Sequence, residues 1–187
     1  FYVMQSKVGG KPGEDVAISD ESFHTWAHSC LVDGRILVNS YHPRLGWGVF
    51  LMTRKNDGKP FYESIQWELG AKGQMHRASI SPSEKKICFE YLAGATFTEP
   101  GHTLYIAEFD AQKRTIANLK AMANQAGKPI WFAYPRWVDG EAAVVYHSYE
   151  TGKGQLYVYR LEDGSTRRVS TNAGADYRYP HGEAAPC

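Results

Sequence analysis

Trp137-Val138-Asp139-Gly140-Glu141-Ala142-Ala143-Val144-Val145-Tyr146 reads as the end of one strand, a tight turn and a second strand rich in Val and Tyr. Asp-Gly at the corner supplies the positive-φ conformation that joins antiparallel neighbours. The pattern occurs twice earlier, as Cys30-Leu31-Val32-Asp33-Gly34-Arg35-Ile36-Leu37-Val38 and as Ile80-Ser81-Pro82-Ser83-Glu84-Lys85-Lys86-Ile87-Cys88-Phe89. Three unrelated hairpins would not also share a matching downstream strand. Here each has one, Val49-Phe50-Leu51-Met52, Leu104-Tyr105-Ile106-Ala107 and Leu156-Tyr157-Val158-Tyr159, and Phe1-Tyr2-Val3-Met4 opens the chain with a fourth such stretch. The aromatic members Tyr2, Phe50, Tyr105 and Tyr157 are spaced 48, 55 and 52 residues apart.

A period of that size is compatible with four-stranded propeller blades carrying loop insertions. Gly- and Pro-rich segments 41–48, 92–101 and 149–154 take the same place in each unit and are expected to join its second and third strands. A polar turn and a weaker last strand come next, clearest over residues 160–170; charges there discourage edge pairing. Residues 110–126 fit this pattern less cleanly. Ile116, Leu119 and Met122 fall at near-helical spacing before Gly127, so one regular strand and a short strand with a helical or irregular insertion fit equally.

Composition agrees with a β-rich globular chain. Of 187 residues, 43% are hydrophobic and 22% charged, enough for a sizeable core, and 13% aromatics with 18 Gly and 9 Pro favour strands and turns over a helical bundle. The net charge of +1 is scattered without a basic stripe, which argues against nucleic acid as a partner. No apolar run reaches the roughly 18 residues of a membrane-spanning helix. The chain opens inside a strand, without Met or a signal-peptide pattern, and so reads as a processed chain or a fragment. Cys30, Cys88 and Cys187 are widely spaced and odd in number, which predicts two buried inert thiols and a terminal cysteine; one disulfide with a spare thiol is the alternative.

Tyr134-Pro135-Arg136-Trp137-Val138-Asp139-Gly140, with Val144-Val145-Tyr146-His147-Ser148 behind it, resembles the P-x-W-S-P-D-G-K-x-I-x-F-x-S signature of TolB-like propeller repeats. Residues 154–172 resemble that family's L-Y-V-x-D-x-x-G-x-x-x-R-L-T continuation, and residues 81–87 repeat the signature with Glu84 in place of Gly. Two units depart from it, with Leu31-Val32 and Val138 where the family has Ser-Pro. The resemblance implies an all-β propeller. Three recognisable four-stranded blades are expected at residues 23–74, 75–130 and 131–175, flanked by partial blades at 1–22 and 176–187. The family's rings of six or more blades imply a larger ring of which this is a part; a four-bladed ring closed by its terminal strands is the alternative. The resemblance also implies a periplasmic or secreted protein.

In a propeller the innermost strands line a central channel. His28, His76, Tyr134, Arg136, Tyr179 and His181 lie in or near those strands and are the candidate channel-facing binding residues. Tyr41, Trp47 and Phe97, in the loops, are candidates for a contact rim, with packing between blades as the alternative. His28, His76 and His181 are candidate ligands for a divalent metal, as in propeller-type pectate-oligomer lyases, although they do not share one register. His24 and His28 alone do not suit one metal, because on a strand they stand about 13 Å apart. No nucleophile elbow, phosphate-binding loop or dinucleotide fingerprint is present.

These features predict a binding module, with no assigned catalytic residue and no required cofactor, that contacts a protein or peptide through the channel mouth and loops. A metal-dependent lyase or hydrolase acting on a saccharide in the channel is one alternative. A structural propeller domain of a larger polypeptide or complex is another.

Overall fold

A computed structural model describes residues 4–5, 16–17, 19, 25–44, 46–55, 57–69, 73–93, 102–124, 132–178 and 180. Among them every regular element is a β-strand. A short pair, β1 (Met4–Gln5) and β2 (Val16–Ala17), precedes three larger sheets. The first runs in chain order through β3 (Thr25–Cys30), β4 (Ile36–His42), β5 (Gly46–Arg54) and β6 (Pro60–Ser64). The second holds β7 (Gln66–Trp67), β8 (Gln74–Ile80), β9 (Lys86–Leu92), β10 (His102–Asp110) and β11 (Thr115–Asn124), in the spatial order β7-β11-β10-β9-β8. The third is again a simple meander of β12 (Phe132–Val138), β13 (Ala143–Ser148), β14 (Gln155–Arg160) and β15 (Thr166–Arg168). All pairings within the larger sheets are antiparallel except β7 with β11.

The second sheet is covered on both faces, which explains its nearly unbroken apolar middle strand. Ile87, Phe89 and Tyr91 point one way, into a cluster with Leu37, Val49 and Leu51 of the first sheet. Cys88, Leu104 and Ile106 point the other way, against Trp137, Val144 and Tyr146 of the third. The outermost strand β15 is exposed throughout and carries two arginines, as expected of a guarded edge.

Three details depart from the sequence-based expectation. The second sheet has five strands, not four, because the chain leaving β6 crosses to pair in parallel with β11. The crossing lets Trp67 set its ring edge-on to Phe89 at 5.6 Å and to Tyr91 at 5.8 Å. Residues 115–124 form a single strand, and its odd apolar spacing comes from two bulges. Each bulge inserts an unpaired residue and resets the in-out alternation. Thus Ile116 and Leu119 both lean toward the first sheet, while Met122 and Ala123 lean toward the third. Finally, Tyr41, His42 and Gly48 are strand residues, so the first inter-strand connection is a tighter hairpin than segment 41–48 implies.

Neither Cys30 nor Cys88 forms a disulfide, and the first is half-buried and the second fully buried; burial pushes the Cys88 thiol well above its ordinary value. Cys187 lies outside the described residues. Of the expected terminal units, residues 1–3 and 181–187 also lie outside them. Residues 176–178 form no strand; they tie to the start of β14 through Gly154 N–H donating to Asp176 Oδ1 at 2.9 Å and Tyr177 N–H donating to Gly154 O at 2.7 Å.

The corner turns explain why Glu84 stands where the family signature has Gly. Glu84 adopts φ 58° and Glu141 φ 71°, a left-handed conformation that costs a side-chain-bearing residue energy. Each carboxylate reaches back to the turn of the preceding sheet. Glu84 accepts from the Val32 N–H, and Glu141 accepts from the Ser83 N–H and, at 2.9 Å, from its hydroxyl. Adjacent sheets are therefore latched turn to turn. Glu84→Ala keeps the strained backbone and loses the latch, so its urea midpoint is expected to fall by the equivalent of about 1 kcal/mol. Glu84→Gly relieves the strain and is expected to lie between Ala and wild type; a Gly variant no more stable than Ala contradicts this assignment.

Candidate functional site

The inner strands β3, β8 and β12 adjoin one another, and each is interrupted by a bulge at the equivalent place. In β3, Ala27 faces Val38 and Ser29 faces Leu37, leaving His28 as the extra residue. In β8, His76 faces Glu90 and Ser79 faces Cys88, so Arg77 and Ala78 share the space opposite Phe89. In β12, Ala133 faces His147 and Arg136 faces Val145, so Tyr134 and Pro135 share the space opposite Tyr146. Arg77 and Tyr134 take up φ of 45° and 55° in doing so. Bulges re-aim side chains that a regular strand would direct elsewhere. Here they bring residues of three sheets to one cleft.

That cleft has a volume of about 420 Å³ and is lined by Trp26, Ala27, His28, Asn39, His76, Arg77, Tyr134 and Arg136. The expected residues His28, His76, Tyr134 and Arg136 thus meet there despite their different registers. The Arg77 guanidinium lies over the Tyr134 ring at 4.4 Å, and the Tyr134 ring stacks on His147 at 5.5 Å. Glu90 is completely buried beneath them. Its Oε2 accepts from Arg77 Nη1 at 2.6 Å and its Oε1 accepts from the Tyr134 N–H at 2.7 Å. Arg136 donates through Nη1 to the Pro135 carbonyl at 2.9 Å and, more weakly, to the Arg77 carbonyl at 3.5 Å. No carboxylate of a described residue pairs with Arg136.

Asn39, Glu90 and His147 lie in the three middle strands opposite Trp26, His76 and Ala133, each within two residues before the bulge. All three are buried. Asn39 donates through Nδ2 to the Met75 carbonyl, and Glu90 binds the Tyr134 N–H, so each ties its own sheet to the inner strand of the next. The channel-facing set read from the sequence contains none of these residues and not Arg77. Their signal is a polar residue interrupting an apolar run in each middle strand, as in Leu37-Val38-Asn39, Cys88-Phe89-Glu90 and Val145-Tyr146-His147.

Burial holds both His28 and His147 largely neutral. Desolvation lowers each from 6.5 to about 4, with smaller opposing effects from neighbours: Asn39 favours the His28 imidazolium, while Arg136 and His76 disfavour it. The unfolded chain takes up these protons near pH 6.5, whereas the folded chain takes them up only near pH 4. Their contribution to stability is therefore complete above pH 6.5 and is lost as the pH falls toward 4. The melting temperature is expected to drop through that window. His147→Phe, which keeps the stack on Tyr134, should flatten the dependence, and an unchanged slope in the variant would contradict the assignment.

Tyr41 is 43% exposed on β4. Trp47 lies on β5, where its backbone pairs with Tyr41. Phe97, Tyr179, His181 and His24 lie outside the described residues. Among the described residues no three His, Cys, Asp or Glu side chains gather as a metal site. The cleft lining itself offers aromatic faces, a guanidinium, imidazoles and a buried amide, which is the donor, acceptor and stacking chemistry of recognition.

No protein-family model matches the chain, and no curated protein matches it. Solved structures do. A puromycin-hydrolyzing peptidase from Mycobacterium tuberculosis superposes with a TM-score of 0.61 at 10% identity, over 91% of this chain and 27% of that one. TolB from Acinetobacter baumannii superposes with a TM-score of 0.56 at 17% identity, over 85% of this chain and 35% of that one. The chain thus spans about a third of the length of either protein or less. At these identities the likeness shows the fold, and it supports the TolB-like propeller fold that the corner motifs imply.

Proposed function

We propose that the three sheets are consecutive blades of a TolB-like propeller ring of six or more blades, and that the chain serves as a binding module. The partner is a protein or peptide that enters at the channel mouth. His28, His76, Tyr134 and Arg136 contact it, joined by Tyr179 and His181, with Tyr41, Trp47 and Phe97 forming the rim. By the same resemblance the protein works in the periplasm or outside the cell. The observation that supports this reading is the set of three equivalent bulges, two of them in a left-handed conformation, that aim side chains from three sheets into one cleft. Such strain is retained only where the surroundings hold it.

The test is site-specific photo-cross-linking in the cells that make the protein, with a benzophenone side chain placed at Tyr41 at the mouth or at Thr166 on the outer strand. A defined partner captured at Tyr41 and absent at Thr166 is the expected result. Equal capture at both positions, or none at the mouth, overturns the reading.

A further inference from the structure

The cleft continues, past Trp26 and His76, into a recess of about 270 Å³ that Val49, Trp67 and Met75 help to line. Its two ends differ in chemistry. At the polar end, Arg136 commits Nη1 to backbone carbonyls and keeps the rest of its donor fork for a ligand. Asn39 is 7% exposed, and its amide donates to the Met75 carbonyl of the next sheet. That bond fixes the carboxamide and leaves Oδ1 buried beside the His28 imidazole with acceptor capacity to spare, on the wall shared by cleft and recess. His28 Nε2 is also buried at this end; in its Nε2–H tautomer it is a second donor. At the other end the indoles of Trp26 and Trp67 and the Met75 side chain make an apolar wall.

The complement of this lining is an anion for Arg136, an N–H donor for Asn39 Oδ1 and an apolar group for the recess. The last residue of a peptide carries all three on one α-carbon. An internal Asp or Glu uses its own side chain for the carboxylate, and a uronic acid offers hydroxyls to Asn39 but no apolar group for the recess. We infer that the cleft takes the free C-terminal residue of a peptide whose final side chain is apolar, with its carboxylate on Arg136, its amide N–H on Asn39 and its side chain between the two indoles. This rests on the binding-module reading and names the part of the partner that the mouth recognises.

Calorimetric titration of the full chain with N-acetylated tetrapeptides tests it. The probes are Ac-Gly-Gly-Gly-Leu and Ac-Gly-Gly-Gly-Phe as free acids, the same peptides as C-terminal amides, and Ac-Gly-Asp-Gly-Leu amide as an internal carboxylate. The free acids should bind saturably and at least about tenfold more tightly than either kind of amide, the effect of one charge-assisted pair. Arg136→Gln should bring the acids down to the level of the amides, and Arg136→Lys, which keeps the charge but not the fork, should fall between. Trp26→Ala should weaken acids and amides alike. Equal binding of acid and amide, an Asp-containing amide that matches the free acids, or no saturable binding of either acid overturns the inference. A partner cross-linked at Tyr41 and still captured with Arg136→Gln would overturn this inference and leave the binding module standing. Acid-selective binding of the tetrapeptides with no partner cross-linked at the mouth would do the reverse.

Discussion

Glu90→Ala is expected to cost about 3–5 kcal/mol, the usual penalty for breaking a buried ion pair by removing one partner. The carboxylate is completely buried and the Arg77 side chain is 20% exposed, so water can hydrate the orphaned guanidinium only in part. The Tyr134 N–H loses its acceptor at the same time, on a residue whose left-handed backbone depends on being held. At roughly 2–4 °C per kcal/mol for a domain of this size, the melting temperature should fall by about 6–20 °C. Glu90→Gln separates the two losses. It keeps an acceptor for the Tyr134 N–H and removes the charge, so it should be milder than Ala. Thermal melts of the three proteins at neutral pH check both statements; a Gln variant as damaged as Ala would show that the charge, and not the backbone tie, dominates.

Trp137→Ala should be comparably severe, at about 3–5 kcal/mol, because truncating a fully buried Trp removes its packing and leaves a cavity. Trp137 stands at the centre of the contact between the second and third sheets, beside Cys88, Leu104 and Tyr146. Its indole N–H also donates to the Ser79 carbonyl at 2.9 Å, a bond from one inner strand to the next. Trp137→Phe keeps most of the apolar surface and leaves the Ser79 carbonyl without that donor, which should cost about 1–3 kcal/mol. Denaturant midpoints with unchanged slopes are the expected signature. A Trp137→Ala variant as stable as wild type would mean that the two sheets do not pack through this residue.

The strands and corners were legible because each rests on local chemistry. Asp-Gly and Ser-Pro-Ser-Glu turns, each leading into an apolar run, recur at a period that unrelated hairpins would not keep. The outer strand at Thr166–Arg168 was legible from its charges. Residues 115–124 were ambiguous for a physical reason: two bulges replace the twofold alternation of a strand by a spacing of three, which imitates a helix. The crossing of Gln66–Trp67 to β11 was not legible either, since it depends on two aromatic rings that Trp67 meets only in the folded chain.

The cleft was half legible. The rule that inner strands line the channel reached His28, His76, Tyr134 and Arg136, although no common register related them. It missed Arg77, because a positive φ at Arg is disfavoured locally and is imposed here by Glu90 and Tyr134 from outside the strand. Asn39, Glu90 and His147 were hidden in runs that otherwise read as core.

One arrangement is central to all of this: bulged strands of the first and third sheets, more than a hundred residues apart in sequence, face each other across one cleft. NMR titration of the His28 imidazole nitrogens tests it most directly. The wild-type ring should titrate at about 4, and Arg136→Gln should move that value upward, because the Arg136 guanidinium disfavours the imidazolium. Arg168→Gln, on the exposed outer strand, should leave it in place. A His28 that titrates near 6.5, or one indifferent to Arg136→Gln, would mean that the two strands do not meet.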